Sequence, residues 1–481
     1  MESSTKGQDR LETILVQAEK DRKRLDSAAL GPFSLTTLGI ASVVGAGIFV
    51  TTGAAAAQYA GPGVVIAFIL AGIGAGLTAI CYAELAAMIP IAGSTYSYAY
   101  AAFGVFLAWF IGWDLLLEYL FAASTVAVGW AGYFVSFLDG FGIHVPHDLA
   151  NPPFGDDAGW FNLPAMLVVA ATTFLLIVGT RQSATANNAI VVLKIGILVL
   201  VVAVGAFHVD SANWTPFVPA NEGGFGEFGA SGVVRAAGVV FFAFIGFDAV
   251  STAAGEARNP QRTVPIGLLA TVLISTVLYV GVGLVLTGLV PYSTLNVSDP
   301  ISKALESVGG ITWLDEAVNV AAVVGLFSTV LVTFYGQTRI LMRMSADGML
   351  PPVFNRINPR YKTPMFTTIV CGVAGGLVAA LLPIDVLGEL VSIGTLLAFL
   401  IVCTGVLVLR RTHPQLERPF RVPYVWIIAP LGMLSALALM AMLPISTWIR
   451  LGVWLVIGLT IFFTYARRNT EKTFGQLSAD A

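Results

Sequence analysis

Long apolar runs, separated by short polar links, recur from residue 33 almost to the end of the chain. A helix of about 20 apolar residues is long enough to cross a bilayer. The runs show no strict alternation of apolar and polar positions, which excludes a membrane β-barrel. The pattern predicts an all-α polytopic membrane protein of about 12 transmembrane helices, at 33–59, 63–88, 96–138, 161–179, 186–208, 233–254, 264–290, 314–343, 364–383, 387–409, 423–443 and 446–466 (spans 1 to 12). Span 3 is too long for one perpendicular crossing and is expected to be a strongly tilted helix that projects beyond the membrane.

Composition agrees with the pattern: 57% of residues are hydrophobic and 11% charged. Residues 1–30, including KGQDRLETILVQAEKDRKRLDS, mix acids with bases and precede no cleavable apolar region, so they do not form a signal peptide. They read either as a cytoplasmic amphipathic helix lying on the membrane or as a solvated tail. Residues 31–472 form a single transmembrane domain, and 473–481 a cytoplasmic tail.

Charge sets the expected orientation. Of the 25 Lys and Arg residues, 21 fall on the side of the membrane that holds the N-terminus, and three (Arg235, Lys303, Arg450) fall opposite. Lys194 alone is intramembrane. The bias predicts both termini in the cytoplasm. The opposite loops are acidic. Asp139, Asp148, Asp156 and Asp157 share one of them with His144 and His147, where a solvated polar loop is favoured over a metal site. Cys81, Cys371 and Cys403 lie inside apolar runs and read as packing residues.

Glycines interrupt span 1 (LTTLGIASVVGAGIFVTTG) and span 6 (VVFFAFIGFDAVSTAAG), the first members of two successive groups of five. Matching interruptions point to an inverted-repeat transporter with a site at the midplane. A break at Val44-Gly45-Ala46-Gly47 exposes the N–H groups of a half-helix, which suit a carboxylate. A break at Phe244-Ile245-Gly246 frees carbonyls, which suit an ammonium. Together they describe a receptor for an α-amino acid. The competing reading is that the glycines only let helices pack closely.

Four acids sit within or beside these runs. Asp114 and Glu118 share one face of span 3, where buried carboxylates mark a pathway or lock helices together. Asp248 follows the span 6 break as a candidate helix cap. Glu84 lies near the end of span 2, within reach of the interface.

At this point the sequence resembles the amino acid–polyamine–organocation superfamily, in its cationic amino acid transporter branch. The matching stretches are LGIASVVGAGIFVTTG, CYAELAAMIPIAGSTYSYAYAAFG, WDLLLEY, FFAFIGFDAVSTAAGEARNPQRTVPIG, GQTRILMRMSADGMLPPVFNRINPRYKTP and ERPFRVP, in order from about residue 30 onward. The resemblance implies a five-plus-five inverted repeat with spans 11 and 12 outside it, and proton-coupled amino acid transport across a bacterial cytoplasmic membrane. It implies that Val43, Gly45, Ala46 and Gly47 surround the substrate carboxylate. Carbonyls near Phe242, Ala243 and Ile245 would meet the amine, with Phe242 as an aromatic gate. Glu118 would stand beside the pocket, and Leu326 would limit side-chain size. Ala46 replaces a hydroxyl residue of many relatives, which removes one carboxylate contact. Bacterial members also carry neutral substrates. With Leu326 filling the pocket, small or medium neutral amino acids are expected, the alternative being a uniporter or exchanger for arginine and lysine.

VVLKIGILVLVV, residues 191–202, places Lys194 about 14 Å into span 5. It reads as a snorkelling residue, as half of an ion pair with a span 3 carboxylate, or as a proton switch. Burial disfavours an ammonium, so such a lysine can exchange a proton where a surface lysine cannot. The resemblance implies the switch, with the ammonium on span 1 carbonyls and on Ser328 or Thr329. No cofactor, metal or nucleic acid partner is expected. The partners are the substrate, the proton and the bilayer, and the sequence leaves the oligomeric state open, with a monomer and a complex with a small single-span subunit both compatible. An enzyme finds no support in a metal-ligand cluster, nucleophile elbow or phosphate loop, and a channel finds none in a polar pore ring. A non-transporting sensor would need a soluble signalling domain.

Overall fold

The structure is a computed structural model. It describes residues 30–89, 94–154, 158–179, 184–252, 254, 257–309 and 311–470. The expected N-terminal amphipathic segment (all but Leu30), the C-terminal tail, Asp156, Asp157 and Gly255 lie outside these.

All described segments are helices and connecting loops. Nine helical stretches among the described residues are long and apolar enough to cross a membrane, and Pro32–Val43, Leu163–Val178 and Met365–Leu381 are shorter apolar helices. Together they account for the twelve spans, because span 1 is divided between Pro32–Val43 and the stretch beginning at Gly47. Span 2 is Val64–Met88, span 4 is Leu163–Val178, span 5 is Ala184–Gly205, span 7 is Pro260–Leu289, and span 8 is Thr312–Ala346. Spans 9 to 12 are Met365–Leu381, Ile384–Thr412, Val425–Met442 and Ile445–Ile461.

The run expected to be one tilted span 3 is two helices. Gly104 takes φ 83°, a conformation that favours glycine, and separates Ser94–Phe103 from Val105–Asp139. The second helix has 35 residues and outreaches a hydrocarbon core about 30 Å thick.

Internal repetition shows in the helix lengths. Spans 3 and 8 have 35 residues each, and spans 4 and 9 have 16 and 17. Spans 2 and 7, 3 and 8, and 4 and 9 each pack against their counterparts, as do the broken segments of spans 1 and 6. The two groups of five are therefore intertwined.

Glu84 does not reach the interface. It is buried and holds a bidentate pair with Arg410, at 2.8 Å to Nε and 2.6 Å to Nη2. It also accepts from the backbone N–H of Val422 at 2.7 Å, and Arg418 Nε lies 3.3 Å away. Arg418 donates to the carbonyls of Leu409 and His413, capping the end of span 10. The ERPFRVP stretch thus ties span 2 to spans 10 and 11. Glu84→Gln keeps the volume and removes the charge that two guanidiniums face. Breaking a buried pair costs about 3–5 kcal/mol, so a melting temperature several degrees below wild type is expected in detergent. An unchanged melt would contradict this account.

Candidate functional site

The α-helical hydrogen bonding of span 1 stops at Val43. Val44 turns away at ψ 89°, and a π-helical turn restarts at Gly47–Thr51. A helix end leaves its last carbonyls and first N–H groups without intrahelical partners. Here the carbonyls are taken up by two side chains from other spans. Lys194 Nζ lies 3.2 Å from Ala41 O, 2.8 Å from Val44 O and 2.6 Å from Thr329 Oγ1. An ammonium has three donors, and this cradle offers three acceptors. The Tyr279 hydroxyl lies 3.0 Å from Val43 O. The N–H groups of the second half-helix start at the same break and face the other way along the axis.

Lys194 is fully buried and makes no ion pair with a carboxylate among the described residues. Its aliphatic stem runs against Gly325 of span 8, where a Cβ would approach Cγ to 2.8 Å and Cε to 2.9 Å. The ion pair with span 3 is therefore set aside, and snorkelling with it. The hydroxyl partner is Thr329. Ser328 is buried one position away, with no bond to Lys194 among the described contacts.

Span 6 runs as an α-helix over Gly229–Val240, tightens to a 3₁₀ turn at Phe241–Phe244, and breaks. Ile245 is extended, and Gly246 has φ 101°. A side chain at Gly246 would be strained and would also press on Ser42 at 3.0 Å. The chain resumes as a helix at Ala249–Thr252, directly after Asp248. Ala243 O accepts from Tyr279 at 2.8 Å and Phe242 O from Ile245 N at 3.2 Å. A carbonyl has two lone pairs, so each keeps one for a ligand.

The two breaks touch. A Cβ on Gly47 would overlap the backbone of Ala243. Gly45 has more room, with Thr329 Cγ2 at 3.3 Å and Val126 Cγ2 at 3.8 Å from the same test position. Tyr279, on span 7, bonds to both broken segments and packs its ring on Phe68 and Phe244. It escaped the sequence reading, because one tyrosine in an apolar run carries no distinguishing signal.

Span 3 meets the break through Val126 and Gly129. Glu118 lies eight residues earlier, about 12 Å along the axis. Asp248 and Asp114 are its acidic neighbours, and Oε2 has no hydrogen-bond partner among the described residues. Both oxygens of Asp114 are likewise buried and without a partner among the described residues. Glu118 is therefore a group beside the broken helices rather than at the span 1 break. Of the sequence-derived set, Val43, Gly45, Ala46, Gly47, Phe242, Ala243, Leu326, Ser328, Thr329, Lys194 and Glu118 are buried, and Ile245 is half-buried. Among the described residues, no group of three metal-ligating side chains occurs. In the acidic loop, His144 Nδ1 lies 2.9 Å from Asp139 Oδ1.

A family model described as amino acid permease matches residues 30–464. The chain is 44% identical over 456 residues to a branched-chain amino acid permease, BcaP, of Bacillus subtilis, covering 94% of this chain and 95% of that protein. It is 42% identical over 460 residues to a methylthioribose transporter of the same bacterium, covering 96% and 97%. It is 36% identical over 387 residues to a vacuolar cationic amino acid transporter of Arabidopsis thaliana, covering 80% of this chain and 64% of that protein. The chain belongs to the amino acid permease family.

Proposed function

We propose that this protein is a secondary active transporter that couples uptake of small or medium neutral L-amino acids to protons. The observation that carries this reading is the contact of the two breaks. It sets half-helix N–H groups opposite unwound carbonyls, as the carboxylate and amine of one α-amino acid require. Val43, Gly45, Ala46 and Gly47 receive the carboxylate, and Phe242, Ala243 and Ile245 the amine. Lys194 with Thr329 braces span 1 in a proton-dependent way, and Ser328 lines the same helix. The charge bias supports cytoplasmic termini.

Buried Leu326 supports a neutral substrate, because a packed leucine leaves no room for a long side chain without repacking. The permease named for branched-chain substrates supports the same reading. The similarity to a cationic amino acid transporter supports the alternative, with Glu118 as counter-charge. Uptake into proteoliposomes with an imposed pH gradient, using leucine, alanine, arginine and methylthioribose, tests the choice. Leucine or alanine should accumulate well above arginine. Faster arginine than alanine uptake would overturn the assignment. Leu326→Ser should admit longer side chains and narrow the gap to arginine several-fold, read by competition.

A further inference from the structure

Away from the broken helices, the described residues border an open space that the transport reading does not use. A cavity of about 660 Å³ lies between spans 3, 10 and 12, near the end of span 9. Its inner wall is Leu117 and Leu390, both buried, with Phe121 and Trp454. Ile449, Val453 and Ile457 form its lip at every fourth position of span 12 and are exposed. That exposed stripe belongs to an intramembrane helix, so the cavity opens sideways towards lipid.

Two features hold it open. Trp113 and Trp454 stack at 4.7 Å and exchange indole bonds to each other's carbonyls, at 2.8 and 3.0 Å. One turn on, Trp109 donates to Gly458 O at 3.0 Å. At the other end, Thr447 donates to Glu389 Oε2 at 2.6 Å. Span 12 is pinned to span 3 below and to span 10 above, and the gap lies between the pins.

Arg450 is the one charged residue among those that line this cavity. It sits in the second turn of span 12, at the end nearer the membrane surface. Its Nη1 is buried without a hydrogen-bond partner among the described residues and stands 3.6 Å from Glu389 Oε2, which also accepts from Thr447. From Arg450 to Ile457 the wall runs about 10 Å with no further polar side chain among the lining residues. A guanidinium with a spare donor above an apolar slot fits a phosphodiester with an attached acyl chain.

We infer that this cavity is a glycerophospholipid site, with the phosphodiester on Arg450 and one acyl chain between spans 3, 10 and 12. Arg235 also acts on Glu389, so Glu389 and nearby Asp385 face two guanidiniums, and the site has no surplus charge with which to read more of the headgroup than its phosphodiester. The chain lies against Leu117 and Phe121, which flank Glu118 on span 3, so the lipid stiffens the helix that carries this carboxylate.

The test is native mass spectrometry of the purified full chain, delipidated and then offered dioleoylphosphatidylglycerol or dioleoylglycerol, which lacks the phosphate. Wild type should retain one phosphatidylglycerol several-fold above dioleoylglycerol and gain thermal stability with it. Arg450→Gln should erase that preference, and Arg450→Lys should restore part of it. Val453→Trp should block both lipids while the protein still melts cooperatively, and Val453→Phe serves if the larger ring prevents folding. Equal retention of the two lipids by wild type, or undiminished preference in Arg450→Gln, would overturn the inference. So would a two-chain species that Val453→Trp dissociates, because the slot would then hold a second copy.

Discussion

Replacing Lys194 with alanine is expected to end accumulation of substrate driven by a pH gradient, while substrate binding at fixed pH falls less. The reason is in the donor count. A protonated lysine fills all three acceptors at Ala41 O, Val44 O and Thr329 Oγ1. A neutral amine has two N–H groups and a lone pair, so it can keep all three partners only if the Thr329 hydroxyl abandons Gly325 O and donates to the nitrogen instead. Protonation therefore favours the braced form of span 1, and loss of the proton loosens it. Substrate held at the same break must then favour protonation in return, because coupling between binding sites is reciprocal. Wild type should bind more tightly as pH falls, by a factor of roughly 5–150 if the coupling has the usual size. The alanine variant should show a flat dependence. Lys194→Arg should also fail, since arginine cannot release its proton and its guanidinium must share the slot beside Gly325. Uptake and thermal shift across a pH series measure both quantities. Accumulation by either variant in response to the gradient would return Lys194 to a purely structural role.

The second large effect is expected at the span 1 glycines, and it separates two neighbours. Gly47→Ala should abolish substrate binding, because even one methyl group would overlap the Ala243 backbone and drive the two broken helices apart. Main chain cannot yield as a side-chain tip can. Gly45→Ala should lose far less, since its nearest neighbour is a threonine methyl group at 3.3 Å that can give by a few tenths of an ångström. Gly45→Leu should also block the site, but by covering the free N–H groups. Thermal shift with the best substrate reads all three. Equal tolerance of alanine at both positions would show that the breaks do not need to touch for binding.

Hydropathy alone determined that this chain crosses a membrane many times as helices, since each apolar run is a local property of about 20 consecutive residues. Glycine placement located the interruptions at Gly45–Gly47 and at Gly246, because backbone permissiveness is also local. Lys194 was visible as a misplaced charge for the same reason. Its partners were not. The Ala41 and Val44 carbonyls lie about 150 positions away and carry no sequence signal, so an ion pair with span 3 stayed open until the helices were packed. Tyr279 became significant only when span 7 brought its hydroxyl to both breaks. Glu84 looked like an interfacial acid until spans 10 and 11 folded Arg410 and Arg418 over it. Gly104 split a continuous apolar run because hydropathy records what is buried and is blind to where φ changes sign. Elements short in sequence follow from the residues they contain. Contacts between spans follow from which faces the intertwined repeats bring together, and only the tertiary structure decides that.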